Sequence, residues 1–464
     1  MKQRGLKIVY LSTVLLLSGC NADLNTLFKQ DAVQAPVKWQ DIETTIPVNE
    51  NWLASFNIKD VNEFVQDALQ NNIELKELFY NIEIAKQRVI QANVPDLPSL
   101  DFTLNQQRSN STSDANPRNT ANVGLDLQYE VDVWGKFDDQ QKEAVYNLLN
   151  AEATYKQAKQ QLVSDVFLAW LDVVEAKKRL DLFERRVENA KNNQIIIESG
   201  YEKGLNEALD VYLVRNEVNA EQATVQNQKS SIVLAIRRLE RLLGQYPSGI
   251  LNFEGEIPNL TTPIEAGLPQ DLIARKPSLA ASWNTLLSRN AALAFAHKDR
   301  LPSLSLATSL QDSARLVTNL FNGDPLVWSL LGSVTSPIFD AGNLKAEEAV
   351  AREELRQAEF QYLSDIYIAF LDVENAITQE GSLKDQLVTT QQAVQNAAIA
   401  AELSFEQYQR GLVEYTTVLE AQNRFYDAEL NLIEIQADLV SNRVELHLAL
   451  GGDFTSSAQV EGSL

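Results

Sequence analysis

The sequence predicts a mostly α-helical protein with a β-barrel portion, internally duplicated, in which long coiled-coil helices accompany four membrane-length β-strands per chain. Three observations predict it. Apolar residues recur three and four positions apart along two runs, Lys136 to Tyr201 and Asn343 to Tyr408, of 66 positions each. Landmarks of the first half return in the second at offsets of 200 to 207. Four segments of about 10 to 13 residues alternate apolar and polar side chains, the pattern of transmembrane strands.

Composition narrows the function. The chain has 464 residues with 63 acidic and 40 basic side chains, a formal net charge of −23. That excludes the basic footprint of a nucleic-acid binder. Cys20 is the only cysteine, Met1 the only methionine, and His297 and His447 the only histidines. A disulfide framework, a Cys/His zinc centre and a Met-lined copper relay all lack their ligands, so no cofactor is expected beyond a covalent lipid.

The amino terminus reads as an address. Lys2, Arg4 and Lys7 precede an apolar run from Ile8 to Leu17, too short to span a bilayer and built like a removable signal over residues 1–19. Leu17-Ser18-Gly19-Cys20 resembles the bacterial lipobox, whose cysteine becomes the lipidated first residue of the mature chain. The plainer reading is a small apolar residue after a signal peptide; against it, the only cysteine stands where a lipobox needs one. Asn21 follows, where an inner-membrane retention signal would place Asp. Cleavage leaves 37 basic against 63 acidic residues, a net charge of about −26.

The duplication sets the element order. Leu97-Pro98-Ser99-Leu100 recurs as Leu301-Pro302-Ser303-Leu304, Gly135 as Gly342, Tyr201-Glu202-Lys203-Gly204-Leu205 as Tyr408-Gln409-Arg410-Gly411-Leu412, and Leu243-Gly244 as Leu450-Gly451. Ser164 to Val173 matches Ser364 to Val373 at 200 instead of 207, a slip of one heptad that keeps every side chain on its helix face. The seams are rich in alanine, so helix axes can approach closely. At ~1.5 Å per residue each 66-residue run is about 100 Å long. Gly204 and Gly411 end these runs, and return helices follow from Leu205 to Leu243 and Leu412 to Leu450. Shorter helices, Ile73 to Val94 and Pro277 to Lys298, supply the missing length when stacked end to end on the returns. The predicted boundaries are an N-terminal linker over 20–60, a first repeat over 61–244, a connector over 245–276, a second repeat over 277–452 and a tail over 453–464.

The strand segments face two environments. Leu100, Phe102 and Leu104 alternate with Asp101, Thr103 and Asn105, and Leu125, Leu127, Tyr129, Val131 and Val133 alternate with Gly124, Asp126, Gln128, Glu130 and Asp132. Leu304, Leu306 and Leu310, then Trp328, Leu330, Val334 and Ile338, repeat the pattern. A half-buried soluble sheet would alternate in the same way. The lipobox and the lack of an apolar spanning helix favour a barrel, and four strands are too few to close one, so several chains contribute.

In this order the motifs resemble the TolC-like outer-membrane efflux proteins, and within them the lipoprotein branch that serves resistance-nodulation-division pumps. The resemblance runs from about residue 50 to 452. It implies a homotrimer whose twelve strands form a pore in the outer membrane and whose helices form a periplasmic tunnel, meeting a periplasmic adaptor and an inner-membrane pump. It implies no enzyme, and a passive duct for small molecules. A duct for type I protein secretion and a pore-free periplasmic coiled-coil scaffold remain as alternatives. The resemblance also implies site residues: Tyr201, Gly204, Leu205, Gly411 and Leu412 at adaptor-contact tips, and Asp210, Thr417, Glu420, Tyr408 and Arg410 at a gate. Thr417 departs from the family, which often has Asp there, so a doubled acidic ring stays open. Solvated helix surface is the competing reading for each carboxylate. Tyr408 and Arg410 are expected to hold a closed state through hydrogen bonds to a neighbouring hairpin.

Other motifs support less. His297 and His447 lack a nucleophile-bearing turn and read as helix-surface or packed residues. Glu347-Glu348 and Glu353-Glu354 read as solvated helix faces rather than a metal site. The glycines follow no phosphate-loop spacing.

Overall fold

The computed structural model describes residues 35–40, 46–48, 51–110, 118–260, 262–321 and 326–454. The signal peptide and Cys20, the tip between the first two strands and the end of the tail lie outside the described residues.

The element order is α1 (Trp52–Ser55), α2 (Lys59–Asn71), α3 (Ile73–Asn93), β1 (Ser99–Ser109), β2 (Arg118–Val131), α4 (Lys136–Glu202), α5 (Ala208–Leu242), α6 (Pro269–Arg275), α7 (Pro277–Lys298), β3 (Ser303–Ala314), β4 (Val327–Thr335), α8 (Asn343–Gln409) and α9 (Tyr415–Ala449). The two long helices, the four strands and the stacked short helices stand where the periodicity places them, except that β2 stops at Val131 and β4 at Thr335, leaving Val133 and Ile338 beyond the strand ends. Three further features differ. The returns start at Ala208 and Tyr415, three residues later than expected, because each needs an extended N-cap residue, Glu207 and Glu414, to leave the preceding turn. Helix α2 was not anticipated; its buried Val61, Val65 and Ala68 pack in the same core as Phe167 and Trp170 of α4. Helix α6, also unanticipated, breaks the Pro- and Gly-containing connector.

The chain divides into two compact units. Among the described residues, one comprises those within 89–146 and 286–360; the other comprises those within 35–88, 147–285 and 361–454. Each unit draws on both sequence copies.

The first unit holds one antiparallel sheet of order β1-β2-β3-β4. Its register puts Leu100 opposite Leu127 and Phe102 opposite Leu125, then Leu125 opposite Leu310, then Leu310 opposite Trp328 and Leu304 opposite Val334. One face is therefore mainly apolar, and it is open at its edge strands: Phe102, Trp328, Leu330 and Val334 are all about two thirds exposed or more. The other face carries Asp101, Asp126, Glu130, Ser305 and Ser309, stitched by Thr103 donating to Asp126 at 3.0 Å and by serine pairs 305/333 and 309/329 at 2.6 and 2.7 Å. Carboxylates end the strand-to-helix corners. Asp132 accepts from the backbone N–H groups of Lys136 and Phe137 at 2.7 and 2.9 Å, and Asp340 from those of Gly342 and Leu344 at 2.9 and 2.8 Å, which caps the N-termini of α4 and α8. Glu348 departs from expectation. It is 6% exposed and pairs with Arg300, with Arg352 at 2.6 Å and with His297 at 3.3 Å, so it is the centre of an ion cluster and not a solvated face. Burial pushes its carboxyl up, but hydrogen bonds from Arg300 and His297 outweigh that and hold it below the ordinary range.

The second unit has a core of Trp52, Phe167, Trp170, Leu239, Leu243 and Val444, drawn from α1, α4, α5 and α9. His447 is buried and stacks on Trp52 with centroids 5.4 Å apart and planes 9° apart, the packed one of the two readings the sequence allows. The stacking of short on long helices is visible at both joints. Asn72 Nδ2 donates to the Leu242 carbonyl at 2.9 Å between α5 and α3, and Arg275 Nε donates to the Leu450 carbonyl at 2.8 Å between α9 and α7. Trp39 anchors the preceding strand of chain, its indole N–H donating to the carbonyls of Ala266 and Gly267. No helix among the described residues is long and apolar enough to cross a membrane.

Candidate functional site

The predicted site residues lie at two helix hairpins of the second unit, α4/α5 and α8/α9. Both hairpins turn by the same device. In the first, the N–H of Gly204 donates to the Tyr201 carbonyl at 2.9 Å and that of Leu205 to the Gly200 carbonyl at 2.8 Å; in the second, Gly411 donates to Tyr408 at 2.8 Å and Leu412 to Gln407 at 2.9 Å. These paired bonds are the Schellman pattern, and it requires φ > 0 at the glycine, here 73° and 71°. A Cβ at either glycine would meet nothing within 4 Å, so the requirement is conformational alone. Leu205 and Leu412 project from the turns at 77% and 69% exposure, and Tyr201 is half exposed.

The hairpins pack on each other. Ile197 of α4, Val211 and Val214 of α5 and Tyr415 and Val418 of α9 form one buried cluster, with Phe405 and Tyr408 of α8 against it. Tyr408 and Tyr415 lie 5.6 Å apart, centroid to centroid. The Tyr408 hydroxyl is buried and has no hydrogen-bond partner among the described residues. Burial first, and then the Asp210 carboxylate, push its phenol up, and burial pushes that of Tyr415 up further. Asp210 is half buried and accepts from the Glu207 backbone N–H at 3.4 Å in a capping box, so it terminates α5 as well as facing the tyrosines.

Of the five predicted gate residues the fold brings Asp210 and Tyr408 together. Thr417 and Glu420 share an exposed face of α9, while Tyr415 and Val418 point into the cluster. Glu420 pairs with Arg424 on its own helix at 2.6 Å, and Arg410 with Glu406 on its own helix at 3.5 Å. The expected bonds from Tyr408 and Arg410 to a neighbouring hairpin are thus not made among the described residues of this chain: Arg410 pairs locally and Tyr408 is turned inward.

Sequence reasoning missed the polar seam behind the tips. Arg186 of α4 is almost buried, pairs with Glu221 of α5 at 2.7 Å and Asp427 of α9 at 3.5 Å, and lies over the Tyr426 ring. Seven residues on, Asn193 donates to Gln422 at 2.9 Å. Polar residues spaced one heptad apart beside an apolar seam were the available signal. Among the described residues no cluster of His, Cys, Asp and Glu could hold a metal ion.

Comparison with known proteins decides the family. The family model described as outer membrane efflux protein matches residues 64–245 and again 268–452. The chain belongs to the outer membrane efflux protein family. A toluene efflux pump outer membrane protein, TtgF of Pseudomonas putida, is 25% identical over 412 residues, covering 87% of this chain and 85% of the relative. The pyoverdine export outer membrane protein OpmQ of Pseudomonas aeruginosa is 26% identical over 477 residues, covering 99% of each. The solved outer-membrane channel OprN has the same fold, with a TM-score of 0.84 at 21% identity over 92% of this chain and 98% of that one. This efflux protein is accordingly an outer-membrane component of an export system, and its relatives are transporters.

Proposed function

We propose that three copies of this chain close one twelve-stranded barrel and form the passive exit duct of a tripartite efflux system, docked through the hairpin tips to a periplasmic adaptor and an inner-membrane pump. The observation that carries this is the open sheet. β1 and β4 have no neighbour on their outer edges among the described residues, and the apolar side chains of both edge strands, such as Leu100, Phe102, Trp328 and Leu330, are exposed. In a bilayer, unpaired backbone N–H and C=O groups cost several kcal/mol each, so the edges must be paired by further strands. The smallest barrels have about eight strands, so four cannot close one and several copies must join; three is the number the family resemblance implies.

The remaining parts follow that frame. Cys20 carries the lipid, and Ser18-Gly19 precede the cleavage point. The two copies correspond to the repeats at 61–244 and 277–452, separated by the connector at 245–276. Tyr201, Gly204, Leu205, Gly411 and Leu412 supply an exposed apolar tip for the adaptor. Asp210 and Glu420 set negative charge near the threefold axis, with Thr417 as a neutral neighbour and Tyr408 and Arg410 available to pair across protomers once the hairpins reorient. The cargo is small: toluene and pyoverdine are what the names of the two relatives record. Light scattering on the detergent-solubilised protein tests the assembly. A trimer with single-channel conductance in planar bilayers is expected; a monodisperse monomer with native helicity overturns it.

A further inference from the structure

The internal duplication supplies a template for contacts that one chain cannot make by itself. Counterparts in the second copy lie 204 residues on for α3 and β1, and 207 residues on for β2 and the first part of α4. The fold obeys both offsets. Leu100 faces Leu127 between β1 and β2, and their counterparts Leu304 and Val334 face each other between β3 and β4. Phe79 of α3 meets Tyr155 of α4 with ring centroids 6.3 Å apart, and their counterparts, Trp283 of α7 and Tyr362 of α8, meet at 5.3 Å. Each copy therefore packs its own elements alike.

The chain also joins the end of its first copy to the start of its second. β2 pairs with β3, and α4 holds α7: Asn150 donates to the Ala281 carbonyl at 2.8 Å and to the Thr285 hydroxyl at 3.0 Å, Lys298 pairs with Asp139, and Lys136 pairs with Asp299 at 3.1 Å. The reverse junction would join the end of the second copy to the start of the first. Among the described residues β4 and β1 are not paired with each other, and the positions that would make the junction are bare. The counterparts of Asn150 and Thr285 are Gln357 of α8 and Asn81 of α3, both exposed where the originals are half-buried. Val94 and Leu97, counterparts of the half-buried Lys298 and Leu301, are more than half exposed. On the corner from β4 to α8, Ile338 and Phe339 are 95% and 89% exposed, whereas Val131, the counterpart of Ile338, is half-buried.

The bare positions differ from the template in one consistent way. Ala346 stands for Asp139, Asn343 for Lys136 and Pro95 for Asp299, so both ion pairs of the internal junction become uncharged pairs, Val94 with Ala346 and Pro95 with Asn343. The amide contact keeps its type, with Gln357 for Asn150 and Asn81 for Thr285. An uncharged face edged by exposed apolar side chains has the composition of permanent contacts between copies, which are more apolar than transient ones. We propose that a second copy supplies the missing junction: its α3 and the turn at 94–97 seat on α8 and the β4–α8 corner of the first copy, with Gln357 bonded to Asn81 and Val94 against Ala346. The contact is head-to-tail, the type that closes copies into a ring. The inference rests on the multi-copy barrel proposed above and adds which residues meet and that the seat between copies, unlike the one within the chain, carries no ion pair.

The test uses the full-length protein in detergent. Cys20 is the only native cysteine, so introduced pairs report cleanly. Asn81→Cys combined with Gln357→Cys should oxidise to covalently linked dimers and trimers, and neither single variant should. Asn150→Cys combined with Thr285→Cys, at the internal junction, should close without linking chains. A charge rescue checks the seat independently. Val94→Lys should speed dissociation of the trimer roughly tenfold by burying an unpaired ammonium. Adding Ala346→Asp, which rebuilds the Lys298–Asp139 pair at the new place, should bring the rate back to within about threefold of wild type. Light scattering separates the two ways to fail. A monomer overturns the barrel and this seat with it, whereas a trimer in which the Asn81/Gln357 cysteine pair links no chains, or in which Ala346→Asp does not rescue Val94→Lys, overturns the seat alone.

Discussion

His447 shows how one residue ties folding to pH. Burial, and then the nearby Arg443 guanidinium, lower its imidazole from an ordinary value of 6.5 to about 4. The folded state therefore holds a neutral ring, while the unfolded chain takes up a proton below pH 6.5. Stability is fully present above that value and falls as pH drops from 6.5 towards 4, by an amount on the order of 3 kcal/mol. His447→Phe, which keeps the stack on Trp52, should flatten this part of the stability profile; denaturant titrations at pH 7 and 4.5 that show the same loss in both proteins would refute it. The neighbouring Glu380 behaves oppositely at first sight. It is fully buried, and burial alone would raise its carboxyl, but Arg443 at 2.7 Å and Lys384 at 2.8 Å hold it below the ordinary range. Its contribution is lost only in more acid solution, as pH falls through that depressed value. At the tips, Asp210 and Glu420 are the residues proposed to select charge. If three copies of each face one axis, the Asp210→Asn, Glu420→Gln double variant should lose cation selectivity with its helicity intact. Unchanged reversal potentials in a salt gradient would make them ordinary surface charges.

At the scale of elements, four helix ends use one motif under different constraints. Gly204, Gly244, Gly411 and Gly451 all sit at φ between 65° and 73°. At Gly204 and Gly411 the space around a Cβ is empty; at Gly244 it would strike the backbone carbonyl of Asn71, and at Gly451 it would come within 2.9 Å of the Lys276 Cα. The first pair turns hairpins in the open, and the second lets a short helix abut a long one. Gly204→Ala should therefore cost about 1 kcal/mol, the strain of a left-handed alanine. Gly244→Ala adds a backbone clash at the α5/α3 joint and should cost several times more. Thermal midpoints that fall equally for the two variants would show that the joint tolerates a methyl group.

For the whole molecule, the proposed lipid and the proposed barrel would be separate attachments. One acylated cysteine adds reversible membrane affinity, whereas a closed barrel is committed to the bilayer. Cys20→Ser should abolish incorporation of labelled fatty acid yet leave trimers in the outer-membrane fraction. Label in the variant would remove the lipobox reading, and its appearance as a soluble monomer would make the lipid, not the strands, the membrane attachment.

Sequence alone determined the features that repeat locally. A seam of period three and four specifies a helix wherever it runs, so Pro277–Lys298 and the ends of α4 and α8 could be placed within a residue or two; a glycine after such a seam specifies its stop; strict alternation specifies strands and which of their faces is apolar. The duplication, and with it the family, follows from the order of those signals. Tertiary structure decided everything that depends on partners distant in the chain. Glu348 reads as one more surface carboxylate until Arg300 and Arg352 enclose it, and Arg186 as a surface base until Glu221 and Asp427 meet it. Arg410 and Tyr408 carry the same types in either reading, but only packing turns the phenol inward and leaves the arginine to Glu406. The reason is physical: backbone periodicity is encoded over a few neighbouring residues, whereas burial and the ion pairs that join one helix to another, as Arg186 of α4 joins Glu221 of α5 and Asp427 of α9, exist only once separate segments meet.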